Sequence, residues 1–176
     1  MAIIVEDGTL VANANSYVTV AEVDTYCENR GLTSWDSLGD EIKEASLLRG
    51  MDFIETKPFK GGKSFFDNPL EWPRVNWYQP TNVSAYDIID YEGVIPLGLK
   101  LAVCRAAYEE SLVAGCLQEG TSRDDFITRK KIDVLEVEYK LPVSGTVSGI
   151  VETYPQIDGH LRTLLMDSII VKVVRT

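Results

Sequence analysis

Few residues in this chain have the types and spacing that catalysis requires. The segment KPFKGGKS, residues 57–64, ends like the phosphate-binding pattern G-x-x-x-x-G-K-[ST], in which a glycine-rich loop holds phosphate through backbone N–H groups. Lys57 occupies the position of the first glycine, however, and no hydrophobic strand leads into the segment. A glycine turn in a basic loop is therefore the preferred interpretation.

The single histidine and the three cysteines offer no better site. His160 has no nucleophile or metal ligand at a recognisable spacing. The cysteines form neither a CxxC pair nor a Cys/His metal pattern, and they are Cys27, Cys104 and Cys116. Because free cysteine behaves as a small apolar residue, we expect reduced and partly buried thiols.

Two pairs of adjacent acids, Glu109 with Glu110 and Asp124 with Asp125, could in principle serve acid–base chemistry. Adjacent residues on a helix do not face each other, so solvated charge is the expected state. The sequence thus predicts no catalytic residue, no metal ligand and no cofactor site. We expect a protein that is not an enzyme.

Aromatic residues near basic ones indicate another possible chemistry, the stacking of nucleic-acid bases. The aromatic candidates are Trp35, Trp72, Trp77 and Tyr78. The basic residues near the last three are Lys60, Lys63 and Arg74. Asp67, Glu71 and the acidity of the whole chain oppose base stacking. Packing in the core or at a subunit interface is the preferred role for the aromatic residues.

Composition limits the class of protein further. The chain has 176 residues, of which 45% are hydrophobic and 25% charged, as in an ordinary soluble domain. The net charge of −10 opposes nonspecific binding of nucleic acid, because such binding depends on lysine and arginine displacing counterions. No apolar run is long enough to cross a bilayer, and MAIIVEDGTL lacks the basic start of a signal peptide. We expect synthesis in a cytosol and no membrane partner.

Three helices are predicted from local signals. In ANSYVTVAEVDTYCENRG, Thr19 and Glu22 form a capping box, which predicts a helix from Val20 to about Asn29 with Gly31 at its C-terminal end. A second helix is predicted from about Asp40 to Glu55. Its expected apolar stripe comprises Leu38, Ile42, Ala45, Leu48, Met51 and Ile54.

The third and strongest helix is predicted within IPLGLKLAVCRAAYEESLVAG, between Pro96 and Gly115. Its expected buried face comprises Leu97, Leu101, Cys104, Tyr108 and Leu112. Alanines at 102, 106 and 107 should let neighbouring helices approach closely. This helix is expected to be the centre of the core.

The remaining segments predict loops, one strand and a terminal arm. Residues 59–93 form a long irregular loop, and residues 118–131 are expected to be polar and mobile. The alternation in IDVLEVEYK predicts a half-buried strand at 132–140. A flexible linker, PVSGTVSG, and a short helix near Asp158 to Ser168 should follow.

The chain ends in SIIVKVVRT, a β-branched segment with two positive charges and no acid. Such a segment is an aggregation hazard alone and a docking strand in an assembly. We therefore expect it to bind a partner or a neighbouring subunit. The full set of expected partner-binding residues is Ile169, Ile170, Val171, Val173, Val174, Trp72, Trp77 and Tyr78.

Together these elements predict a mainly α fold: a small helical bundle with a short β element, a long irregular loop and an extended C-terminal arm. We expect a helical core at residues 1–140, with a loop insertion at 59–93. Residues 141–176 should comprise the linker, the short helix and the docking arm.

Six segments in this order resemble the head-to-tail connector, or adaptor, proteins of tailed bacteriophages. Each motif alone is weak, and their order carries the resemblance. Some of these proteins carry a label likening them to DnaT, a primosomal single-stranded-DNA-binding protein. The segments are ANSYVTVAEVDTY, KEASLLRGMDFI, EWPR, IPLGLKLAVCRAAYEESL, KIDVLEVEYK and HLRTLL.

The resemblance implies a non-enzymatic virion protein that forms a ring beneath the portal at the phage neck. It implies the portal, neighbouring copies and a tail or stopper protein as partners, with DNA only passing through the channel. About twelve copies would sum to roughly −120 charges, and a negative lumen would let DNA slide. The alternative is a single-stranded-DNA-binding replication accessory protein.

Overall fold

The computed structural model describes residues 2–77, 93–118, 129–132, 135–138 and 154–166. Its helices are α1 (Val20–Glu28), α2 (Asp40–Glu55), α3 (Leu97–Leu112) and α4 (Pro155–Leu161). Two short antiparallel pairs accompany them: β1 (Gly62–Lys63) with β2 (Arg74–Val75), and β3 (Arg129–Ile132) with β4 (Leu135–Glu138). The predicted mainly helical class with a small β element is confirmed.

The predicted start of α1 is also confirmed. The Thr19 hydroxyl accepts from the Glu22 N–H at 3.1 Å, and the Glu22 carboxylate accepts from the Thr19 N–H at 2.7 Å. The predicted end was one residue late, because the helix ends at Glu28 and Asn29 is its C-cap, with right-handed helical backbone angles. Gly31 lies just beyond, at φ +64°, where a turn needs the left-handed backbone that glycine adopts most easily.

Helices α2 and α3 form the largest helix–helix contact of the described chain, and their bounds agree with the prediction. The surfaces in contact are built from small residues. A Cβ placed on Gly50 would lie 2.8 Å from the backbone nitrogen of Ala107, so the two backbones are in close contact. Ser46, Ala106 and Ala107 are all fully buried around this point.

This close packing explains why the predicted buried faces were partly wrong. Leu97 and Leu112 on α3 are 70% and 50% exposed, and Ile42 on α2 is 51% exposed. A leucine would be too large at the closest point of the contact, between Gly50 and Ala107, because protein interiors are packed at close to crystal density. Helix α3 instead buries Leu99, Ala102, Val103, Cys104, Ala106, Ala107 and Glu110.

Helix α4 was predicted too late in the chain. It begins at Pro155, which suits the first helical turn because it lacks an N–H, and it ends at Leu161. The chain then runs antiparallel to the residues that follow α2. The Lys60 N–H donates to Leu164 O at 2.8 Å, and the Met166 N–H donates to Pro58 O at 2.9 Å.

The β3–β4 pair corrects the expectation of a mobile segment up to residue 131. Arg129–Ile132 is a strand, and Lys131 pairs in register with Glu136. Leu135–Glu138 confirms part of the predicted strand. The predicted linker at 142–149, Tyr78 and residues 169–176 lie outside the described residues, and the division into domains stays a prediction. No helix among the described residues is long and apolar enough to span a bilayer.

Candidate interaction surfaces

The tryptophans expected near a partner surface lie mostly in the core. Trp35 and Trp72 are both 0% exposed. The Trp35 indole N–H donates to Asp24 at 2.7 Å, and the Trp72 ring meets Trp77 edge-on at 4.9 Å between ring centroids. Trp77 is half-buried. The Trp72 ring is thus fully covered by the protein itself in this structure, and its role in partner binding stays a prediction.

The EWPR motif, residues 71–74, holds a buried corner of the segment 59–77. The Arg74 guanidinium donates to the carbonyls of Lys60 at 2.8 Å and Gly61 at 2.7 Å, and it pairs with the Glu71 carboxylate. Arg74 is only 7% exposed. A planar guanidinium with a fixed fork of donors suits this arrangement of several carbonyls. The motif therefore stabilises the fold of the segment 59–77.

A tyrosine and a glutamate attach this corner to the helices. The Tyr17 hydroxyl donates to Glu55 at the end of α2 at 2.5 Å and accepts from the Trp72 N–H at 3.0 Å. The Glu55 carboxylate also accepts from the Glu71 N–H at 2.7 Å. Burial raises the pKa of Glu55 and strongly raises the pKa of Tyr17, so the hydroxyl stays protonated as a donor.

Two fully buried carboxylates fix irregular loops, and sequence reasoning missed both. Glu110 was expected to be solvated, yet it is 0% exposed. It accepts from Arg49 at 2.8 Å and from the N–H groups of Gly115 at 2.7 Å and Leu117 at 2.9 Å. Three charge-assisted donors compensate for the loss of water. The available sequence signal was Gly115, which indicates a turn shortly after Glu110.

Glu6 has the same role near the N-terminus. Its carboxylate accepts from the N–H groups of Gly8, Leu10 and Val11 at 2.8–3.0 Å. Leu10 has φ +64°, an unfavourable angle for a residue with a side chain. The carboxylate stabilises this conformation and so holds the Leu10 side chain out from the loop, 42% exposed.

Most of the lysines and arginines whose side chains the structure describes form ion pairs with acids. Residues 2–77, 93–118 and 154–166 contain ten lysines and arginines and sixteen acids. Seven of the ten cations form ion pairs, so few remain for phosphate groups. The pairs are Lys43–Asp24, Arg49–Glu110, Lys57–Asp158, Lys63–Glu71, Arg74–Glu71, Lys100–Glu22 and Arg105–Glu109.

Burial changes the pKa values of two of the thiols and of the histidine. Burial raises the pKa of Cys27 to about 11 and that of Cys104 to about 12, so both are protonated and unreactive near neutral pH. Burial, together with Arg30 and Arg105, lowers the pKa of His160. Among the described residues no cluster of His, Cys, Asp or Glu could hold a metal ion.

An apolar groove lies between the N-terminal loop and the segment 59–77. Its volume is about 400 Å³. Phe65 on its wall is 55% exposed, and the adjacent Phe66 is 91% exposed. Large aromatic side chains held in water are typical of contact surfaces. The groove is lined by Leu10, Val11, Ala12, Asn13, Phe65, Asp67, Asn68 and Pro69.

Comparison with known families places the whole chain, residues 1–176, in one of them. The family is described as "Putative DnaT-like ssDNA binding protein", and the chain belongs to it. Comparisons with curated proteins and with solved structures give no match. The match agrees with the label attached to the resemblance above. It favours single-stranded-DNA binding, the alternative function, over a phage connector, for which the comparisons offer no support.

Proposed function

We propose that this chain is a non-enzymatic structural subunit that assembles with other proteins, as a head-to-tail connector does at the neck of a tailed phage. The observation that carries the proposal is the contrast between its cations and its exposed aromatic residues. Seven of the ten cations in residues 2–77, 93–118 and 154–166 form ion pairs, and Trp35 and Trp72 are buried, whereas Phe65 and Phe66 are exposed. Such a surface suits protein contacts better than phosphate contacts.

In this role the portal, a tail or stopper protein and other copies of the chain are the partners. The protein would be made in the host cytoplasm and incorporated into the virion neck. A ring of copies with −10 charges each would repel DNA weakly all around the channel, which favours its passage during packaging and ejection. No step of this role needs a catalytic group or a cofactor.

The second candidate is a single-stranded-DNA-binding replication accessory protein, and the family match favours it. The most basic of the described helices and strands is β3, whose sequence is RKKI. In register, however, Arg129 opposes Glu138 and Lys131 opposes Glu136 on β4. The two strands together contain three basic and two acidic residues, which leaves little net positive charge for a phosphate backbone.

Oligonucleotide titration at several salt concentrations separates the two candidates. The connector role predicts affinity no tighter than the nonspecific range of about 10⁻⁴ to 10⁻⁶ M at physiological salt. Submicromolar binding that weakens steeply with salt would instead establish the second candidate. Lys130→Glu, Lys131→Glu in β3 is the informative variant, because it should abolish such binding if the hairpin is the site.

The positive test of the connector role is assembly. The purified protein, mixed with a portal from a phage that encodes it, should co-sediment and form rings visible by electron microscopy. Screens for nuclease, ATPase and protease activity should give only background. A chain that neither forms rings nor binds the portal, while binding single strands tightly, would overturn the proposal.

A further inference from the structure

The apolar groove is a rigid surface, because both of its walls are fixed by hydrogen bonds. The Leu10 N–H donates to the buried Glu6 carboxylate at 3.0 Å. On the other wall the Asn68 side chain donates to Trp72 O at 2.7 Å, and the Asn68 N–H donates to Phe65 O at 3.3 Å. A groove that is already formed loses little conformational entropy when it binds a partner.

The groove also carries an acid that is available for a partner. Asp67 lines it, is exposed, and has no ion-pair partner among the described side chains. Two smaller grooves, of about 240 and 210 Å³, contain Glu109 and Glu22. Both of those acids are already paired, with Arg105 and Lys100. The larger groove alone among these three offers an apolar lining with an unpaired negative charge.

The C-terminal arm, defined as residues 169–176, has the complementary pattern in its sequence. In a strand alternate residues share a face, so one face of the arm would carry Ile169, Val171, Val173 and Arg175. The other basic residue of the arm is Lys172, and the arm contains no acid. A run of three branched apolar side chains followed by an arginine matches an apolar groove that contains Asp67.

The last residue that the structure describes lies next to the groove-bearing segment. Met166, the last residue described, donates its N–H to Pro58 O at 2.9 Å, next to the segment 59–77. The ten residues from 167 to 176 can extend about 33–36 Å. An extended arm of β-branched residues gains most when its backbone groups and side chains meet another protein surface.

We propose that the C-terminal arm of one copy docks in the apolar groove of a second copy. Ile169, Val171 and Val173 contact the apolar lining, and Arg175 pairs with Asp67. The choice of a second copy rests on the proposed function, in which copies assemble into a ring. This contact would link each subunit to its neighbour and leave the rest of the helical body free to contact the portal.

Disulfide cross-linking between full-length variants tests this contact. One chain carries Phe65→Cys and a second, distinguishable by a size tag, carries Val173→Cys. Docking raises the effective concentration of the two thiols to about the millimolar range, so about ten-fold more mixed disulfide dimer is expected than for a non-docking pair. Non-reducing electrophoresis after mild oxidation measures the mixed dimer.

Two matched controls use the same native cysteines and therefore give the background. Val113→Cys replaces Phe65→Cys at another exposed apolar residue, 64% exposed and outside the groove. Lys172→Cys replaces Val173→Cys on the opposite face of the arm. Both control pairs should give much less mixed dimer. Asp67→Lys should lower the yield of the test pair several-fold at low salt, and Arg175→Glu on the other chain should restore it.

Each other outcome overturns the proposal. Equal yields from the test and control pairs would mean that the arm does not dock in this groove. An internal disulfide in a single chain carrying both Phe65→Cys and Val173→Cys, without mixed dimer, would mean that the arm binds its own groove. The assay contains neither portal nor DNA, so its result is independent of whether the chain binds either.

Discussion

The contact between α2 and α3 and the segment 59–77 are stabilised in different ways. The helical contact depends on small side chains, because Gly50 meets the backbone of Ala107. The segment 59–77 has little regular structure and depends on polar groups, chiefly Arg74 and Glu55. The helical contact should therefore be more sensitive than the segment to an increase in side-chain volume at its closest point, and the segment should be more sensitive to the loss of polar groups.

The largest expected effect is at the helical contact. Gly50→Val should lower the free energy of unfolding by about 3 kcal/mol, because its new side chain would force α2 and α3 apart. Gly159→Ala is the matched control, since this helical glycine in α4 has no atom within 4 Å of an added Cβ. The control should leave stability unchanged or raise it by up to about 1 kcal/mol. Urea unfolding followed by circular dichroism measures both, and equal effects would refute close packing at Gly50.

A smaller effect is expected in the segment 59–77. Arg74→Lys keeps the charge but cannot reach the several carbonyls that the guanidinium binds, so we expect a loss of about 2 kcal/mol. Arg162→Lys, at an exposed position, should change stability by no more than about 0.5 kcal/mol. Should Arg74→Lys be equally harmless, the buried corner would not depend on its hydrogen bonds.

The same contrast explains which features could be predicted from the sequence. The bounds of α2 and the capping box of Thr19 and Glu22 depend on residues within one or two turns of each other, so local patterns predict them. The buried face of α3 depends on its distance from α2, which hydrophobic periodicity does not specify. At its closest point the contact is made by the small residues Gly50, Ala106 and Ala107.

The candidate surfaces were harder to predict for the same reason. Trp72 and Arg74 resemble binding residues in sequence, but their partners come from Tyr17 and Lys60, well separated along the chain. The exposed Phe65 was part of a segment identified only as aromatic and irregular. Its exposure follows from the fixed loops on either side, which no local pattern describes.

The smallest effect is a difference in pH dependence between two acids, Asp24 on α1 and Glu55, which binds the segment 59–77. Burial raises the pKa of Asp24, but hydrogen bonds from Lys43 and Trp35 outweigh it, so the pKa lies below its ordinary value of 3.8. Its contribution to stability is present above that value and is lost as the pH falls through the lowered pKa. Asp24→Asn should therefore destabilise the protein at neutral pH and have less effect in strong acid.

Glu55, which anchors the segment 59–77, should behave in the opposite way. Burial raises its pKa above the ordinary value of 4.5, so the folded state binds a proton more tightly than the unfolded state does. This contribution to stability is present below pH 4.5 and is lost as the pH rises through the raised pKa. The Glu55→Gln variant lacks the titration, so its stability relative to the native chain should improve as the pH rises. Unfolding free energies measured at intervals from acid to neutral pH decide the matter: if both variants shift in the same direction with pH, the pKa values of Asp24 and Glu55 are not displaced in opposite directions by folding.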